Sequence, residues 1–179
     1  MTLEQLIIGL VRVGGSLFVL RWAFTGAVIA ILVDFSDLFM KNLIDLGGLG
    51  DYQSFDKALD LVYMVAFLVV ALRWRPLERN VAIVLFVYRM AGVAVFELTG
   101  TRMTLLAFPN VFEFWFLAVT ARDLWWPRYV LDPRGVAVWL VLLTPLKMAQ
   151  EITLHGTRWL DNYRATDVVA SWWHALTPW

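Results

Sequence analysis

Several ionisable residues of this chain stand inside long apolar runs, where a charge is costly. Glu113 lies in FPNVFEFWF (108–116), one turn after Pro109 and Asn110, and Arg89 and Glu97 lie in YRMAGVAVFELT (88–99). KMAQEITLH (147–155) holds Lys147, Gln150, Glu151 and His155; Lys147, Glu151 and His155 are spaced i, i+4, i+8 and so share one helix face. Asp56, Lys57 and Asp60 open another run in YQSFDKALD (52–60), the two Asp one turn apart, and Asp34 and Asp37 close an earlier one. An ionised group near the middle of a bilayer costs at least about 2.5 kcal/mol unless it is paired or hydrated, which makes each of these a functional candidate. Glu151, His155, Asp56, Asp60 and Glu113 are the candidate catalytic acids and bases, since carboxylate and imidazole groups move protons or hold an ion that activates water. His155, Glu151 and Asp60 are the candidate ligands of a divalent metal, and Arg89 and Lys147 the candidate holders of an anionic head group. A structural reading stands beside each. Arg89 with Glu113 reads as a buried ion pair, the two Asp pairs as solvated helix ends, and His155 as a hydrogen-bonded interface residue.

The elements that must position these groups are helices. The chain has 179 residues, of which 60% are hydrophobic, against roughly half in a soluble domain. The excess falls into runs of about twenty residues, the length that crosses a hydrocarbon core of about 30 Å at 1.5 Å per residue. The runs are too continuous for barrel strands, which alternate. The sequence predicts an all-α, polytopic transmembrane bundle of about five spans, near 16–38, 57–74, 80–98, 103–121 and 136–156, with six as the alternative. A hairpin near Arg21 is not expected, because no Pro, Gly or Asn marks a turn there; one long first helix is. Residues 1–156 form one transmembrane domain, and the tail 157–179, ending SWWHALTPW, lies on the interface. Ten Trp fit a membrane–water belt. No removable signal peptide is evident.

Basic residues near the spans set the orientation. Arg12, Arg21, Arg73, Arg75, Arg79, Arg122, Arg128 and Arg134 fall on one side of a five-span chain, and Lys41, Lys57, Arg102, Arg158 and Arg164 on the other. The positive-inside rule then places the N-terminus in the cytoplasm and the C-terminus outside, in the cell membrane. With that orientation Asp34, Asp37, Asp56, Asp60, Glu97, Asn110, Glu151 and His155 fall in the outer half, with Glu113, Arg89 and Lys147 near the middle. The expectation is a polar cavity opening opposite the arginine-rich loops.

Fifteen basic and fifteen acidic residues balance, no basic stripe suggests nucleic acid, and the absence of cysteine excludes disulfides, thiolate metal sites and thiol catalysis. No P-loop, dinucleotide turn, HExxH or nucleophile elbow is present. Pigment ligation by His155 or His174 stays open. The spacing Asp34-x-x-Asp37 with Asp56-x-x-x-Asp60 weakly resembles the acid motif of CDP-alcohol phosphatidyltransferases, which implies acids that hold divalent metals against a nucleotide pyrophosphate and activate an alcohol. Leu38 stands where that family has Gly, Lys41-Asn42 where it has Ala-Arg, and Tyr52 where it has a second Gly; its acids also face the cytoplasm. The segments 52–60, 88–99, 108–116 and 147–155 together resemble a group of small multi-pass bacterial membrane proteins, which implies a bacterial integral membrane protein and adds no mechanism. Three functions fit the residues. First is an accessory or scaffold subunit of a larger membrane complex, with the lipid bilayer and other membrane subunits as partners. Second is a small membrane-embedded enzyme acting on a lipid or isoprenoid through an outer-leaflet carboxylate/His site. Third is a proton or ion pathway component using Asp60, Glu97, Glu113, Glu151 and His155.

Overall fold

The computed structural model describes residues 3–43, 52–100, 104, 107–152 and 173; at 3–5, 34–43 and 52–58 it describes the backbone only. Its regular elements are helices: α1 Leu3–Leu17 with a 3-10 turn Phe18–Leu20, α2 Ala23–Leu43, α3 Tyr52–Ala71, α4 Pro76–Thr99, α5 Val111–Trp125 and α6 Pro133–Glu151. No strand occurs among the described residues. One described helix, α4, is long and apolar enough to cross a membrane.

The first helix is not continuous. The chain turns at Arg21–Trp22, where both backbone N–H groups donate to the Phe18 carbonyl, at 3.1 and 3.0 Å. A Cβ at Gly15 would lie 3.2 Å from Val33, and one at Gly26 only 2.3 Å from the Val19 backbone. Residues 15 and 33 can be neighbours only if α1 and α2 run antiparallel, so this stretch is a helical hairpin. The expectation of one long helix fails because the turn uses no Pro, Gly or Asn of its own. What permits it is Gly26, four residues on, which lets the returning helix press against the 3-10 turn.

Helix ends further along follow local chemistry. Pro76 and Pro133 sit at the first positions of α4 and α6, where a missing N–H costs nothing, and Asp132 caps α6 by accepting from Gly135 N–H at 2.8 Å. Gly100 ends α4 in the left-handed conformation, φ 65°. The next long helix begins only at Val111, not near 103, because Pro109 has no N–H to continue a helix across it. The segment before it is held by α4: Tyr88 Oη donates to the Ala107 carbonyl at 2.6 Å and Arg89 Nη1 to the Phe108 carbonyl at 2.7 Å. Gly92 makes this possible, since a Cβ there would lie 2.3 Å from Phe108 Cβ.

Helix α5 packs on α2, α3, α4 and α6. Phe112, Trp115, Phe116 and Val119 are fully buried on it, with Phe67 of α3 stacked on Phe116 at 4.2 Å and Phe86 of α4 edge-on to Phe112 at 5.6 Å. The core is apolar, yet large apolar side chains also stand exposed while several charges are buried. Leu98 is 87% exposed and Val141 71%, while Glu78 is 1% exposed and Glu113 and Glu151 5%. Arg12, Arg122 and Lys147 are buried as well.

Candidate functional site

Helix α6 carries Lys147, Gln150 and Glu151 on one face, and α5 begins with Asn110 as its N-cap and Glu113 in its first turn. The two faces meet, and α3 adds Tyr63. Lys147 Nζ donates to Glu113 Oε2 at 3.1 Å and to Gln150 Oε1 at 2.8 Å, and lies 3.8 Å from Glu151 Oε1. It also stands 5.2 Å from the centre of the Phe114 ring. Asn110 does not use its side chain to cap the helix. Its Nδ2 donates to Glu113 Oε2 at 3.2 Å and to Tyr63 Oη at 3.1 Å, and its backbone N–H reaches Glu151 Oε1 at 3.3 Å. Tyr63 Oη is itself 3.5 Å from Glu113 Oε2, a long donor contact. Asn110 Oδ1 is buried with no hydrogen-bond partner.

Three of the sequence candidates therefore come together: Glu113, Lys147 and Glu151. Arg89 does not pair with Glu113. Glu113 follows Phe112, which faces α4, and one residue turns a helix by about 100°, so Glu113 points toward α3 and α6 instead. The nearest cation it meets is Lys147, and Arg89 is bound to the Phe108 carbonyl two residues before Asn110. Asp60 lies apart from the cluster and pairs with Arg12 of α1 at 2.6 Å, tying α1 to α3. The Asp34, Asp37 and Asp56 side chains and all of His155 and His174 lie outside the described residues, so of the candidate metal set only Glu151 and Asp60 are described, and of the phosphatidyltransferase-like acids only the Asp60 side chain. Among the described residues, no group of three or more His, Cys, Asp or Glu side chains could hold a metal ion. Lys147, a candidate anion holder, is already engaged by the carboxylates.

A second ionic site lies at the other end of α5. Arg122 Nη1 donates to Glu78 Oε1 at 2.7 Å, and its Nη2 and Nε reach Asp123 Oδ1 at 2.5 and 3.0 Å. Trp115 Nε1 donates to the Glu78 carbonyl at 3.3 Å. Sequence reasoning treats Arg122 and Glu78 as parts of arginine-rich loops. The available signal is helical spacing: Arg122 follows Trp115 and Val119 at i+7 and i+3, and Glu78 precedes Ala82 by four, so each sits on a core face.

No family model, curated protein or solved structure matches this chain.

Proposed function

We propose that the chain is a multi-pass membrane protein serving as a non-catalytic accessory or scaffold subunit of a larger membrane complex. The exposed apolar side chains, together with charges buried in mutual contact, carry the reading. Leu98, Val141 and their like face outward and buried charges face one another, the arrangement that suits helices surrounded by acyl chains. The hairpin at Arg21–Trp22 favours six crossings over five. The Leu3 end of α1 then lies on the same side as the Glu151 end of α6, and the turns bearing arginine lie on the opposite side, which the positive-inside rule makes cytoplasmic. This revises the N-terminal side expected from a single long first helix. The buried ions favour a structural role, because Lys147 fills the space between the two carboxylates where a catalytic cation would sit. The test is native purification in mild detergent: a stoichiometric membrane partner is expected, and a chain that migrates alone at every detergent concentration sinks the subunit role.

One observation favours the enzyme reading, with its site at the Glu113–Glu151 cluster. Asn110 Oδ1 is a buried acceptor beside two carboxylates, and a donor on a bound substrate or ion would satisfy it. Metal analysis of purified protein together with Glu151→Gln and His155→Ala decides it: absence of bound metal and an unchanged cellular phenotype would remove this alternative.

A further inference from the structure

We infer that the arginine-bearing end of the bundle is a binding surface for the phosphate head groups of acidic phospholipids; this rests on the membrane reading above. Three turns meet at that end, those joining α1 to α2, α3 to α4 and α5 to α6. Phe24 at the start of α2 packs on Trp125 at the end of α5, with ring centres 4.9 Å apart, and Glu78 at the start of α4 holds Arg122. Trp74 of the α3–α4 turn lies against Phe116 of α5 at 5.2 Å. The turns and the first helical residues after them bring Arg21, Arg73, Arg75, Arg79, Arg128 and Arg134 to one end.

The acids of this end are already engaged. Glu78 and Asp123 take Arg122, and Asp132 caps α6. Among the described residues the side chains of the six arginines have no hydrogen-bond or ion-pair partner, and all but Arg79 are exposed. A guanidinium offers a planar fork of donors that matches phosphate oxygens, so six unengaged forks form a surface selective for that group. The aromatic rings decide between a soluble phosphate and a lipid. Trp22, Trp125, Trp126 and Tyr129 are exposed at the same end, and Trp125 to Tyr129 line an open hollow of about 480 Å³ that includes Arg128. A free anion gains nothing from those rings. A phospholipid presents glycerol and acyl carbons to them while its phosphate meets the arginines.

The experiment uses the full chain in a zwitterionic detergent, titrated with phosphatidylglycerol, phosphatidylcholine or inorganic phosphate. Thermal midpoint and bound lipid by native mass spectrometry are the readouts. Phosphatidylglycerol is expected to raise the midpoint by several degrees and to bind at least tenfold tighter than phosphatidylcholine. Roughly fivefold per arginine is the scale for a basic group at an anionic leaflet. The triple variant Arg73→Gln/Arg75→Gln/Arg128→Gln is expected to lose that preference while keeping the parent circular dichroism, since none of the three makes a hydrogen bond or ion pair among the described residues. Equal effects of the two lipids, or a preference that survives the triple change, overturns the inference. So does inorganic phosphate reproducing the shift, which would assign a soluble anion. Alkaline washing of vesicles reads the membrane premise separately: release into the supernatant defeats that premise whatever the lipid titration shows.

Discussion

At the last turn of α5, Arg122 meets one buried carboxylate, Glu78, while at the first turn, about 14 Å away at 1.5 Å per residue, Lys147 faces two, Glu113 and Glu151. The first site balances a charge with a charge, and its spare donors reach the half-exposed Asp123. The second recruits neutral groups as well: Asn110 and Tyr63 donate toward Glu113, and the Asn110 backbone N–H supports Glu151. Its surroundings also orient the chain. Arg89 binds a carbonyl of the 107–110 segment and Glu151 an amide of it, so a cation and an anion hold that segment from opposite ends of its peptide dipoles. A pair of the first kind acts as a fastener between α4 and α5. The second joins three helices and a non-helical segment, and every member depends on the others being in place.

The comparison can be broken most directly at Lys147. Lys147→Met leaves two buried carboxylates facing each other, and a loss of about 5 kcal/mol is expected in denaturant unfolding in micelles. Adding Glu113→Gln and Glu151→Gln should recover only part of it, because Asn110 and Tyr63 then face altered partners; full recovery would mean the cluster is no more than a set of charge pairs. Arg122→Met should cost about 3 kcal/mol, and here the double change Glu78→Met/Arg122→Met should return stability to within about 1 kcal/mol of the parent or above it. If that double variant stays as unstable as the single one, the two sites are alike and the distinction fails. Gly92→Ala should cost about 2 kcal/mol by overpacking Phe108. It should also weaken the Lys147 site more than the Arg122 site in a double-mutant cycle, since the 107–110 segment belongs to the former. The smallest effect, about 1 kcal/mol, is expected for Tyr63→Phe, which removes one acceptor of Asn110 and one long contact to Glu113. A change within about 0.3 kcal/mol there would show that Tyr63 is a neighbour of the network without being part of it.

Much of this is legible in the sequence. The spacing of Lys147, Glu151 and His155 on one helical face, and the cost of placing these groups and Glu113 in apolar runs, point to groups that must meet one another. An apolar helix over 80–98 and the Arg-rich connections are equally plain, but the helix starts earlier, at Pro76, and takes Glu78 and Arg79 out of the connection. The pairing of partners is not legible. Period and hydropathy place a residue on a face of its own helix, but they do not say which neighbour that face meets. Arg89 and Glu113 sit at similar depth in successive helices and so looked like partners, until the rotation of α5 about its axis turned Phe112, and not Glu113, toward α4.

Composition and periodicity alone determined that the chain is helical, with apolar segments and a few charges that burial would force into company, because those properties depend on residue type and spacing within one segment. Two things were decided only in tertiary structure: the fold-back at Arg21–Trp22 and the choice of Lys147 over Arg89 as the partner of Glu113. Each turns on a close approach between distant segments, such as Gly26 against Val19 or Gly92 against Phe108. A missing Cβ reads in sequence as no more than a weak helix residue, and it becomes a contact only when another backbone arrives to use the space.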